Sequence, residues 1–204
     1  MTMHDADRVL EFWLEPKPSN DAECEAKSKL WFAGEPELDR EIRERFQSLT
    51  EAARRGQLDD WTGVPRRAFA LMIVLDQFSR NLYRGSSEAF SADPKALAIA
   101  KTLIEPAQIA EFDALERLFL ALPFCHAEDL GEQKIATALV QRAAQSAKPA
   151  WKKMLTGAVD FNRKHLDVVA RFGRFPHRNE TLGRESTPDE REYLAYLKAV
   201  GQWL

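Results

Sequence analysis

The sequence predicts an all-α protein of antiparallel helix pairs, a tetratricopeptide-like bundle or short solenoid of about nine helices. Three observations carry that expectation. Alanine (28) and leucine (23) make up a quarter of the 204 residues, and both favour the helix. The β-branched residues on which a large sheet draws number only 22 (Val 8, Ile 6, Thr 8). Helix start and stop signals recur along the whole chain, with no convincing strand between them.

The elements follow in order. Asp7–Leu14 reads as a short helix with Val9, Leu10, Trp13 and Leu14 on one side, ended by Pro16 and Pro18. Asn20, with Glu23 at capping-box spacing, opens a second helix that carries Leu30, Trp31 and Phe32 and breaks at Gly34. A third has Leu38, Ile42, Phe46 and Leu49 on one stripe and stops at Gly56. Trp61 and Gly63 form a connector before Pro65, a good first helical residue. From there Ala68–Leu75 is apolar on every side, the mark of a central helix enclosed by others. Gly85 and a Ser-rich turn end this segment, and Asp93-Pro94 caps a helix running to Pro106. Another is expected from about 107 to 120. Pro123 is expected to open the next, with Ile135, Leu139 and Val140 inside it and Pro149 beyond its end. A long helix spans roughly Trp151 to Phe172, and Gly173 stops it. The stretch 173–186 has no period and reads as a loop. Thr187-Pro188-Asp189-Glu190 then combines a cap, a first-turn proline and a capping-box Glu, with Tyr193, Leu194 and Leu197 facing inward. The pair formed by the 65–84 helix and the helix ending at Pro106 resembles a degenerate tetratricopeptide unit, without a clean 34-residue period.

No composition shift marks a linker, so residues 1–204 are expected to form one domain. A domain of this size buries roughly 70% of its extended-chain surface and needs no disulfide or structural metal. With 45% hydrophobic residues and 9 Gly, disorder and collagen-like repeats are excluded. The formal charge of −3 offers no general attraction to nucleic acid or to an anionic membrane. Residues 1–14 contain no apolar leader, and the eight-residue run 68–75 falls far short of a membrane span. Cys24 and Cys125 lack any paired spacing and read as reduced thiols, which points to the cytoplasm. Walker, G-x-S-x-G, G-x-G-x-x-G, H-E-x-x-H and Cys/His zinc motifs are all missing, so no cofactor is expected.

Chemistry concentrates in three places. The first is Leu75–Arg84, LDQFSRNLYR, at the end of the most apolar helix. At about 100° per residue, Asp76, Arg80 and Arg84 share an arc of about 80°, which Gln77 and Asn81 widen to about 140°. Buried polar groups must be hydrogen-bonded and buried charges paired. The stripe is therefore either an Asp76–Arg80 pair with amides tying helix ends together, or a pocket wall offering guanidinium and amide groups to an anion.

The second place is His126, three residues before Asp129 and two before Glu128. A carboxylate at that spacing can orient an imidazole for acid–base work, although acids in a first helical turn are also ordinary. The third is His165 on the inward stripe Phe161, His165, Val168, Phe172, together with the segment 171–184. That segment holds four Arg and one Glu, a charge of +3 against −6 for the remainder. Arg174, His177 and Arg178 either pair with acids on other helices or project together as a binding loop.

These segments, with Val9–Trp13, Trp31-Phe32, Ala89-Phe90, Asp93 and Gly183–Glu185, resemble the bacterial family catalogued as domain of unknown function 924. The resemblance covers nearly the whole chain in order, and LDQFSRNLYR and RFGRFPHRN are its specific parts. It implies an all-helical, tetratricopeptide-like fold and brings no activity or catalytic residues with it.

Three functional expectations follow. The leading one is a domain that binds a small anionic molecule or acidic peptide through Asp76, Gln77, Arg80, Asn81, Arg84, His165, Arg174, His177 and Arg178. A hydrolase-type enzyme would use His126 with Asp129 or Glu128, or a divalent metal on His126, His165 and His177. In an interaction scaffold the same groups would serve only to hold the core together.

Overall fold

The computed structural model describes residues 4–201, and among these the protein is helical with no strand. The first helices are α1 (Asp5–Leu14), α2 (Asp21–Phe32) and α3 (Pro36–Arg54), followed by a 3-10 turn at Asp59–Gly63. The central helix starts as α4 (Pro65–Ile73), passes through a π turn at Val74–Phe78 and ends as α5 (Ser79–Leu82). After a 3-10 turn at Ser87–Phe90 come α6 (Asp93–Leu103), α7 (Pro106–Ile109), α8 (Ala114–Cys125), α9 (Leu130–Ser146) and α10 (Pro149–Phe172). A 3-10 turn at Pro176–Arg178 precedes α11 (Pro188–Ala199). The expected order and most boundaries hold.

The apolar patterns explain the packing. Ala68–Leu75 is wholly buried, enclosed by α1, α3 and α6. The pairing of α4 with α6 is compatible with a tetratricopeptide-like helix pair. An aromatic cluster fills the centre: Trp13 meets Phe78 and Phe119 edge-on with ring centroids 5.5 and 6.0 Å apart, and Trp31 meets Phe119 at 4.9 Å. Such edge-to-face pairs add to the stabilisation from burial. Cys24 and Cys125 are both free and buried. Among the described residues no helix is long and apolar enough to cross a membrane.

Two expected boundaries are wrong: the helix expected from about 107 to 120 is split into α7 and α8, and Pro123 is not a helix start. Pro123 lies in the last turn of α8, a second enclosed helix in which every residue except Arg117 is buried. The true start is Asp113, whose Oδ1 accepts from the Leu115 and Glu116 amides while Glu116 returns a bond to the Asp113 amide. That capping box sets the register of α8, and a proline near the C-terminal end then removes only one ladder bond. Lys17 Nζ bonds both acids of the box, at 2.6 and 3.0 Å, tying the α1–α2 connection to α8. Beyond α8, the buried Gln133 side chain donates to the Cys125 and Ala127 carbonyls at 2.6 and 2.7 Å.

The segment after α10 is a docked strap. Gly173, with φ of +70°, supplies the left-handed C-cap that turns the chain back. Phe175, fully buried, then pins it against α10, and its amide donates to Glu128 Oε1 at 2.8 Å. Replacing Phe175 with Ala should therefore lower the unfolding free energy by about 3–5 kcal/mol, the usual cost of an excavated phenylalanine. A change under about 1 kcal/mol in urea denaturation would show that the strap is not held by this ring.

Candidate functional site

The site grows from Asp76, in the π turn and only 1% exposed. A π turn adds a residue to one helical turn, so the 100° spacing does not carry through unchanged from Phe69. Asp76 is nonetheless fully met. Arg80 Nη1 donates to its Oδ1 at 3.0 Å and to its backbone carbonyl at 2.8 Å. Gln77 Nε2 donates to Oδ2 at 2.5 Å, and His126 Nδ1 lies 2.7 Å from Oδ1. Burial alone would raise this carboxyl; Arg80 and His126 overcome it and hold Asp76 well below the usual carboxylate range. Arg80 also forks onto Asp93, with both N–O distances at 2.9 Å. The Asp76 carboxylate thus orients the His126 ring from a neighbouring helix. Burial, reinforced by Arg80, keeps that imidazole below its ordinary pKa, so it donates from Nδ1 as a neutral ring.

Above this network opens a cavity of about 430 Å³, lined by Gln77, Arg80, Asn81, Arg84, His126, His165, His177 and Arg178, with Trp31, Phe32, Phe90, Leu122 and Phe161 as its apolar walls. Asn81 and Arg84 reach it already paired. Asn81 Nδ2 donates to Asp39 Oδ1 at 2.7 Å, and Arg84 forks onto the same carboxylate at 2.8 and 2.9 Å. Gly34, with φ of +72°, passes close by: a Cβ there would lie 3.3 Å from an Arg84 nitrogen. His165 Nδ1 donates to the Phe161 carbonyl at 3.0 Å, and burial pushes its pKa down to about 3. His177 sits on the exposed rim.

Arg178 is the exception to this pairing. It is 7% exposed, its guanidinium lies 4.5 Å from the Phe175 ring and 4.7 Å from the Phe90 ring, and Nη1 donates to the His126 carbonyl at 3.0 Å. Its Nε has no partner, and Asp93, 3.8 Å away, is already bound by both arms of Arg80. Burial, then the neighbouring Arg80, lowers its pKa to about 10, which leaves it charged at neutral pH.

Several expected partners are elsewhere. Asp129 does not face His126; it caps α9, accepting from the Glu132 amide at 3.0 Å. Glu128 turns to the strap, where Arg184 forks onto it at 2.6 and 2.9 Å. Arg174 is also not in the cavity, because Glu190 of α11 holds it at 2.7 and 2.8 Å. Glu190, sixteen residues on, captures it, the outcome in which the arginines pair with acids on other helices. Among the described residues no group of three His, Cys, Asp or Glu side chains could hold a metal ion, so His126, His165 and His177 form no donor set. Cys125, beside His126, has its thiol pushed up to about 12 by burial and is no nucleophile at neutral pH. Sequence reasoning missed Asp39 and read Asp93 as a cap; an acid on the inner face of α3, next to Leu38, was the available signal for the first.

Fold and site together define a helical protein whose buried polar residues converge from four stretches of chain on one lined cavity. The chain belongs to the family described as bacterial protein of unknown function, DUF924, which it matches over residues 9–197. It is similar to the solved structure of a protein of unknown function from Agrobacterium tumefaciens, with 34% identity and a TM-score of 0.77 over 93% of this chain and 96% of that one. Among curated proteins, none matches it.

The depressed histidines make a prediction about stability. Between about 3, where folded His165 titrates, and its ordinary 6.5, only the unfolded chain takes up the proton. Stability should therefore be flat above pH 6.5 and fall as the pH drops below it, by up to about 1.4 kcal/mol per pH unit for each such histidine. His126 acts in the same direction. Urea titrations across this range should show the fall, and His165→Phe should make it shallower; an unchanged slope would remove His165 as a cause.

Proposed function

We propose that this protein is a binding domain for a small anionic molecule, with Arg178 as the anchoring cation. The observation that carries the reading is the unmatched state of that guanidinium. A buried charge is normally paired and its donors satisfied. Arg178 has one hydrogen bond, a bare Nε and, as its ion-pair partner, only Asp93 at 3.8 Å, which Arg80 already holds with both arms, yet it lines a cavity. A carboxylate or phosphate in the cavity, accepting from this guanidinium, would supply the counter-charge that Asp93 only shares. Gln77 and the neutral rings of His126 and His165 stand nearby as further hydrogen-bonding groups. A volume of about 430 Å³ suits a small molecule better than an acidic peptide. A purely structural scaffold would leave Arg178 unexplained, since its neighbours Arg80, Arg84, Arg174 and Arg184 each hold an acid.

Calorimetry and melting curves with inorganic phosphate, citrate and acetate test this. At least one should bind, and Arg178→Gln should weaken it by about ten- to a hundredfold, the loss expected for hydrogen bonds to a charged group. Wild-type protein that binds none of these, or a variant that binds as well, would overturn the proposal.

The contact of 2.7 Å between His126 and Asp76 supports a second reading, general acid–base chemistry of a hydrolase type. A buried carboxylate holding Nδ1–H leaves Nε2 as the basic nitrogen. In that reading a screen of chromogenic esters and phosphoesters finds turnover that His126→Gln abolishes while anion binding persists. Equal turnover in that variant would refute it.

A further inference from the structure

Arg178 Nε and Asn162 Oδ1 are two of the seven buried polar atoms without a partner among the described residues, and Asn162 lies in the space next door. A groove of about 230 Å³ runs between α2, α8 and α10, walled by Leu118, Met154 and Ala158 and by Phe32, Leu122 and Phe161. The last three also wall the anion cavity, so the two spaces adjoin across them. Asn162 lines the groove and is 1% exposed; its Nδ2 donates to the Ala158 carbonyl at 2.9 Å, while Oδ1 accepts nothing. A buried amide oxygen without a donor is costly unless a ligand provides one. Gly157 also lines the groove, inside a helix of 24 residues where glycine weakens the structure. A Cβ there would meet nothing within 4 Å, so no packing contact demands the glycine. Any larger side chain, however, would project into open groove.

We infer that the ligand is an amphipathic carboxylate or phosphate: its anionic head sits on Arg178, and an apolar tail bearing an N–H or O–H lies in the α2/α8/α10 groove against Asn162. This rests on the anion-binding reading of the cavity. His165 of the cavity and Asn162 of the groove are three residues apart on α10, about 4.5 Å along the helix axis. The donor therefore belongs close to the head, as in an N-acylated amino acid. The groove has room for about eight non-hydrogen atoms at the roughly 30 Å³ that each water occupies in the liquid.

Titration calorimetry with acetate, butanoate, hexanoate, octanoate, hexanoylglycine and 1-octanol separates head from tail. Each added methylene should tighten binding by about fourfold up to octanoate, and hexanoylglycine should bind more tightly still. Gly157→Leu should flatten the series while leaving acetate unchanged. Acetate bound with a flat series in the wild type would overturn the groove and leave the anion cavity standing. Binding of none of the anions would overturn the reading of the cavity itself. If 1-octanol matched octanoate, head and tail would not act together and the inference would fall. If hexanoylglycine bound no better than octanoate, the role of Asn162 would fall with it. The ligand series is run on the unaltered chain, so the test does not depend on the variant folding.

Discussion

A carboxylate in the middle of the core is the constraint on which the rest of this structure depends. Asp76 lies in a turn whose five residues are all buried, between Leu75 and Phe78, neither of which is exposed. Leaving its charge unmet there would cost several kcal/mol. Arg80, Gln77 and His126 answer it, and each answer fixes a different element. Arg80 completes its fork on Asp93 and so holds the start of α6. His126, the C-cap of α8, is drawn toward the central helix. Its carbonyl in turn receives Arg178 and so helps seat the strap that follows α10.

The chain of pairing ends without closing. Two carboxylates, Asp76 and Asp93, face two guanidiniums, Arg80 and Arg178, but the geometry gives both acids to Arg80. Arg178 keeps its charge and stacks between two aromatic rings, while Nη1 donates to the His126 carbonyl and Nε has no partner. That loose end is local, since the other three arginines of 171–184 find partners: Arg171 rests on Phe172 and Tyr193, Arg174 on Glu190 and Arg184 on Glu128. The positive segment in an acidic protein is mostly mortar for the strap, with one cation left for the cavity.

How much of this was legible follows the range of each interaction. Local signals were reliable. Asn20 accepts from the Glu23 amide and Thr187 from the Glu190 amide, as their capping spacing required. The i, i+4 pair Asp76–Arg80 forms because one helix carries both residues. Where a local signal had a longer-range rival, reading along the chain chose wrongly. Asp129 lies close to His126 in sequence, but the α9 amides were nearer than the imidazole, and Asp76, fifty residues away, took the ring instead. Pro123 looked like a helix start because proline favours the first turn, yet Asp113 and Glu116 had already begun the helix.

What the sequence by itself determined was the set of helices, the central position of Ala68–Leu75 and the identity of most polar groups that reach the cavity. Each follows from periodicity, caps or composition, which act within a few turns of one helix. Only the tertiary structure decided which acid each base meets, and therefore that Arg80 and Arg84 are satisfied while Arg178 and Asn162 are not. Pairing is settled by distances of about 3 Å between elements far apart in the chain. No spacing along a sequence encodes such distances.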